Sequence, residues 1–203
     1  MNETVEIQIL KKIKKAGKGA LFFSEDFVTT GSSKAVNKAL ERLVAKGELM
    51  RAARGIYVRP QTDRIIGKLT PGIEAIAKAI AKRDRARIVP TGIYALNRLG
   101  LSTQVPMNAV YLTDGAARKI RIGKRGILFK KAAPKNLAAV GEISGLVIQA
   151  LKTIGNGKVE PYEEKRILEL LQKEKQKNIE HDIALAPEWI RKIMRKAITQ
   201  HTP

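Results

Sequence analysis

Apolar positions recur at helical spacing from the start of the chain. Between Thr4 and Ala16, Val5, Ile9, Ile13 and Ala16 share one face with Leu10 beside them, and Lys11, Lys12, Lys14 and Lys15 crowd the far end. This spacing predicts an amphipathic helix capped by Thr4 and stopped by Gly17-Lys18-Gly19. Phe22 and Phe23 follow, and Ser24 is the expected N-cap of a short second helix ending before Gly31. "SSKAVNKALERLVAKG" predicts a third helix, with a serine cap, Val36, Leu40, Leu43 and Val44 along one face, and Gly47 at its end. "ELMRAA" and "GIYVRP" then read as two strands turning near Arg54-Gly55. A lone hairpin is marginal in water, so it must lean on the helices through Leu49, Ile56 and Val58, with its arginines facing away. Three helices with a tight turn between the last two, followed by a basic hairpin, is the layout of a winged helix-turn-helix.

Beyond it, "PQTDRIIGKL" (Pro60 to Leu69) reads as a short connector. A helix beginning at Thr70-Pro71 places Ile73, Ile76, Ala77 and Ile80 inward. "ARIVPTGIYALNRLGLS" predicts another helix, and "NAVYLTDG" and "ARKIRIGKRGILFKK" alternate like strands. Ile120 and Ile122 oppose Arg121, a turn covers 123–126, and Ile127 to Phe129 continue the sheet. The remainder reads as helices: "NLAAVGEISGLVIQALKTIG", a Pro161-started "PYEEKRILELLQKEKQ" and a Pro187-started "PEWIRKIMRKAI". The expected class is α+β: a winged helix-turn-helix over residues 1–68, then a larger α+β domain with a small sheet and C-terminal helices over 69–203.

Composition adds little to the fold and much to the function. Of the 203 residues 44% are hydrophobic and only 4% aromatic, so the core must be mostly aliphatic. The absence of cysteine excludes a disulfide framework, a thiolate metal site and a cysteine nucleophile, and suits a reducing cytosol. No apolar run approaches the length of a membrane span or a signal peptide, so the expected location is cytoplasmic, away from membranes. Charge is the strongest compositional signal. Thirty-nine Lys and Arg against 19 Asp and Glu leave a formal net charge of +20, a field that attracts polyanions and above all nucleic acid. The net charge is +7 over residues 1–68, +11 over 69–135 and +2 over 136–203.

That charge selects candidate contacts. On the third helix Lys34, Lys38 and Arg42 lie opposite the apolar face with Asn37 on the flank, and Ser32 and Ser33 stand at the N-terminal end that enters the major groove in this motif. Lysine and arginine suit guanine edges and phosphates, and asparagine suits adenine. Arg51, Arg54 and Gly55 of the hairpin are the expected wing contacts, and Glu41 is expected to pair with Lys34 or Lys38 or to face solvent. Nothing points to an enzyme. His181 and His201 are the only histidines, and no metal-ligand spacing occurs. "GNGKV" at 155–159 lacks the P-loop spacing and reads as a turn. Asp114 before Gly115 reads as a turn residue in preference to a catalytic carboxylate. Glu163 and Glu164 read as members of ion pairs on a solvated face, and Trp189 as a packing anchor. No cofactor or metal is expected.

"LERLVAKGELMRAARGIYVRP" followed by "IVPTGIYALNRLGLSTQVPMNAVYLTDG" resembles the AbiEi-type antitoxins, the regulatory half of bacterial abortive-infection toxin–antitoxin pairs. The resemblance covers most of the chain and rests on "RAARGIYV" and "GLSTQVP…YLTDG". It implies a transcriptional repressor whose winged domain binds inverted repeats in double-stranded DNA at its own promoter. It also implies a C-terminal domain that counteracts a co-encoded nucleotidyltransferase-type toxin, with direct contact between the two not assured. Against that background the central charge maximum suggests further phosphate contacts from Arg118, Lys119, Arg121, Lys124 and Arg125. The alternative is a winged-helix protein- or RNA-interaction module whose basic middle region binds an acidic partner.

Overall fold

The computed structural model describes residues 3–65 and 67–199. Helices and small sheets together make it an α+β chain. It divides into two compact units. One takes in the described residues up to Ala79 with Ile120–Lys124, and the other Ile80–Lys119 with the described residues from Arg125 on.

The first unit opens with α1 (Val5–Lys15), β1 (Leu21–Phe23), a 3-10 helix (Ser24–Thr30), α2 (Ser33–Ala45), β2 (Met50–Ala53) and β3 (Ile56–Val58). Ile9 and Ile13 of α1, Phe22 of β1, Phe27 of the 3-10 helix, Val36, Leu40 and Leu43 of α2, Leu49 just before β2 and Tyr57 of β3 close one core. Burying side chains of this size stabilises the fold by about 1.5–3 kcal/mol each. β3 is the middle strand of an antiparallel sheet ordered β1–β3–β2, which is why Ile56, Tyr57 and Val58 are all buried.

β1 is a departure from the sequence expectation. A strand of three residues shows no periodicity of its own, and it exists because β3 offers a partner, with Leu21 opposite Val58 and Phe23 opposite Ile56. Ser24 starts the 3-10 helix without capping it. Asp26 does that work, accepting the Phe23 N–H at 2.7 Å. Arg59 also departs from its expected outward direction, donating to the carbonyls of Lys14 and Ala16. A guanidinium on the unpaired carbonyls that end α1 complements the negative end of the helix dipole.

The expected connector is a second hairpin, β4 (Gln61–Asp63) and β5 (Gly67–Leu69), with Gln61 opposite Leu69. Its polar strands carry no alternation to betray it, and Asp63 Oδ1 holds the turn by accepting the Ile65 N–H at 2.8 Å. Ile66, within that connector, lies outside the described residues. α3 (Ile73–Arg83) buries Ile76, Ala77 and Ile80. It starts after Pro71-Gly72, two residues later than expected.

In the second unit the stretch expected as one helix breaks into β6 (Ile88–Thr91) and α4 (Ile93–Arg98). Proline argues against a central strand, but β6 is an edge strand of the sheet β6–β7–β9–β8, where Pro90 is tolerated opposite Tyr111. β7 (Asn108–Thr113) and β9 (Arg125–Lys131) pair in parallel, and β8 (Arg118–Ile122) is the far edge of that sheet, its residues from Ile120 on being grouped with the first unit. A 3-10 turn (Pro134–Leu137) and four helices follow: α5 (Glu142–Ile154), α6 (Pro161–Leu171), α7 (Gln176–Ile183) and α8 (Glu188–Thr199). Their core gathers Val147, Leu151, Ile167, Leu171, Ile190 and Met194, with Trp189 packed at its border. α5 starts later than its apolar run suggested because the chain is diverted at Gly141, and α7 separates from α6 as a helix of its own.

That diversion is held by two carboxylates. Fully buried Asp182 of α7 accepts the N–H groups of Val140 at 2.9 Å and Gly141 at 3.0 Å and the Ser144 hydroxyl at 2.5 Å. Glu174 accepts the Ile143 N–H at 2.9 Å and the Asn178 amide at 2.9 Å. Both sit on the otherwise unpaired N–H groups that open α5, where negative charge is favoured. A Cβ on Gly141 would stand 2.1 Å from Ser144 Oγ and 2.7 Å from Glu174 Oε2, so only glycine fits.

Burial alone would raise the pKa of Glu174, but bonds from Asn178, Ile143 and Lys175 outweigh it and the net direction is down. A lowered carboxylate contributes stability above its unfolded-state value, near 4.5, and loses it as pH falls through the folded value. Glu174→Gln is therefore expected to be less stable than wild type at pH 7, with the gap narrowing as pH drops below 4.5 in urea titrations run at stepped pH.

Candidate nucleic-acid interface

The surface that the charge pattern singles out begins on α2. Ser32 is its N-cap and accepts the Ala35 N–H at 3.3 Å, so its oxygen is already engaged. Val36, Leu40 and Leu43 anchor the helix from within, and the opposite face presents Ser33, Lys34, Asn37, Lys38 and Glu41 to solvent. One expected contact is redirected. Arg42, although exposed, sits 3.5 Å from Glu6 on α1, where Lys46 also binds the same carboxylate. The Lys46 bond, joined by Arg42, outweighs the cost of desolvation and holds Glu6 below its ordinary pKa. These cations tie α2 to α1, an assignment that helical spacing alone did not reveal because Glu6 is 36 residues away.

The β2–β3 hairpin turns at Arg54-Gly55, and Gly55 has φ +71°, the left-handed conformation that favours glycine. Arg51 and Arg54 are exposed. The turn is not free-standing, since the Ser24 N–H donates to the Gly55 carbonyl at 3.1 Å. The 3-10 helix is thereby joined to the hairpin at one end and to α2 at the other. Between it and α2 lies a cavity of about 300 Å³ lined by Ser24, Glu25, Val28, Ser33, Val36 and Asn37. Sequence reading missed this wall. The available signal was the register of "EDFVTT": with Phe27 fully buried, Val28 is turned outward and is 67% exposed.

A second basic cluster lies on the β8–β9 hairpin. Lys119, Arg121, Lys124 and Arg125 are exposed, as are Lys130 and Lys131 at the end of β9. Arg118 does not belong with them. It bonds Asp84 and lies 5.6 Å over the Phe129 ring, because the alternation along β8 turns it to the side opposite Lys119. Asp114, weighed as a carboxylate of chemical interest, accepts the Arg87 N–H at 2.7 Å and its Nε at 3.0 Å. The Arg87 side chain first, then its backbone, hold that carboxyl below the ordinary range. Glu164 bonds Lys196 and the Glu163 carboxylate accepts the Glu160 N–H, so both serve helix α6 and its neighbour.

The model of a family of unknown function, DUF6088, matches residues 8–179, through α2, the β2–β3 hairpin and the β8–β9 hairpin alike. The chain belongs to that family. No curated protein matches it. In this DUF6088 member His181 stands 2.8 Å from the buried Asp182, and His201 lies outside the described residues. No group of three or more His, Asp or Glu able to hold a metal ion occurs among the described residues. No helix among them is long and apolar enough to cross a membrane.

Proposed function

We propose that the first unit is a winged helix-turn-helix that binds double-stranded DNA, with α2 as recognition helix and the β2–β3 hairpin as wing. The observation that carries this reading is two exposed basic faces set on one apolar core. The solvent side of α2 offers Lys34, Asn37 and Lys38, and the β2–β3 hairpin offers Arg51 and Arg54, both backed by the same apolar core. A net charge of +20 supplies the long-range attraction that such a surface needs. The chain then acts as a cytoplasmic, non-enzymatic, cofactor-free transcriptional repressor. Its resemblance to the AbiEi-type antitoxins extends the proposal to inverted repeats at its own promoter and to counteracting a nucleotidyltransferase-type toxin.

The exposed lysines and arginines of β8–β9 support a second set of phosphate contacts. An acidic protein or an RNA in place of an operator is the rival, and a gel shift with the DNA immediately upstream of the gene separates the two. A retarded, sequence-competed band is the expected result, and no shift at low salt would end the repressor reading. Within the complex, Asn37→Ala is expected to relax sequence preference at one base pair, at a cost of about 1–3 kcal/mol. Competition with duplexes varied at each position measures this, and an unchanged preference would remove Asn37 from the base contacts.

A further inference from the structure

We propose that the cavity between the 3-10 helix and α2 takes the methyl-bearing edge of a thymine against Val28, while Asn37 reads the edge of a neighbouring adenine. This rests on the DNA-binding reading and adds to it the chemistry of one position in the bound site.

Val28 is 67% exposed, yet its neighbour Phe27 is wholly buried and fixes the backbone that carries it. The valine is thus a held apolar contact on the wall of an open cavity of about 300 Å³, continued inward by Val36 at 3% exposure. The rim is polar, with Ser33 and Asn37 one helical turn apart on the exposed side of α2. Glu25 lines the opposite wall. Val28 and Val36 offer a phosphate no hydrogen bond, so the occupant is a base edge and not the backbone. Among the four bases only thymine offers an apolar group in the major groove, and asparagine is the side chain that pairs with the N6 and N7 atoms of adenine. The bond from Ser24 to Gly55 ties this wall to the turn bearing Arg54, so a phosphate gripped by the turn sets how the base edge meets the cavity.

The test uses the full chain. Preferred sites are selected from a random duplex pool, and each thymine is then replaced singly by uracil, which removes the methyl and nothing else. One position is expected at which uracil weakens binding about fourfold, the factor expected for one buried methyl group. Val28→Ser is expected to bind the thymine and uracil duplexes equally, at the affinity wild type shows for uracil, with an unchanged unfolding midpoint because the side chain is exposed. Val28→Ala is expected to keep part of the discrimination. The absence of any uracil-sensitive position overturns the proposal, and so does a fourfold effect that survives in Val28→Ser. In either case selected DNA binding stands and only the thymine seat is lost. A pool from which nothing is selected defeats the DNA-binding reading itself, and this inference with it.

Discussion

Replacing Asp182 with alanine is expected to destabilise the second unit by about 3–5 kcal/mol, read as a lowered urea midpoint of the full chain. The magnitude follows from what the carboxylate leaves behind. The buried Gly141 N–H and Ser144 hydroxyl each lose their acceptor where burial limits any replacement, and the part-buried Val140 N–H loses its acceptor as well. Typical surface substitutions change stability by less than 0.5 kcal/mol, so the effect is readily measured. Asp182→Asn is expected to fall between, since an amide offers one oxygen to a site built from donors and turns its own N–H groups toward them. An alanine variant as stable as wild type would mean that α5 is held by its apolar face alone. Circular dichroism at intermediate urea assigns the early loss to helix, which is where the four helices from α5 to α8 place it.

The β8–β9 hairpin should reveal itself through salt. If Lys119, Arg121, Lys124 and Arg125 touch phosphates, changing all four to alanine is expected to reduce the slope of log K against log salt by about 0.9 for each lost contact. Sequence preference should hardly move, because backbone contacts position a protein without reading bases. Arg118→Ala is the internal control. Its side chain is engaged with Asp84 and the Phe129 ring, so it should lower stability and leave the slope alone. An unchanged slope in the fourfold variant would take the hairpin off the DNA and favour an acidic protein as its partner.

Much of this molecule was legible along the chain, for a local reason. α1 and α2 follow the spacing of Ile9, Ile13, Val36, Leu40 and Leu43, because amphipathic periodicity records which side of a helix meets a core. The β2–β3 hairpin was visible as two strand-like runs around Arg54-Gly55. What escaped was short, polar or borrowed. β1 has three residues and depends on β3 for its existence. β4 and β5 carry no alternation. β6 contains a proline that only an edge position admits.

The candidate contacts divide along the same line. Lys34, Asn37 and Lys38 are exposed as helical geometry required, since the apolar face they oppose left them no other side. Arg42 and Arg118 have the same composition and the same local spacing as their neighbours, but Glu6 and Asp84 draw them into ion pairs from 36 and 34 residues away. Charge counted along a chain cannot distinguish a cation offered to a ligand from one already matched within the fold.

The sequence by itself thus determined the amphipathic helices, the basic character and the outward face of α2, because these depend on side chains within a turn or two of one another. Tertiary structure alone decided that Glu6 and Asp84 engage Arg42 and Arg118, that Val28 walls an open cavity, and that Asp182 and Glu174 hold the start of α5. Those outcomes depend on groups brought together across tens of residues, and a buried donor or charge takes whichever partner the packing places within hydrogen-bond reach.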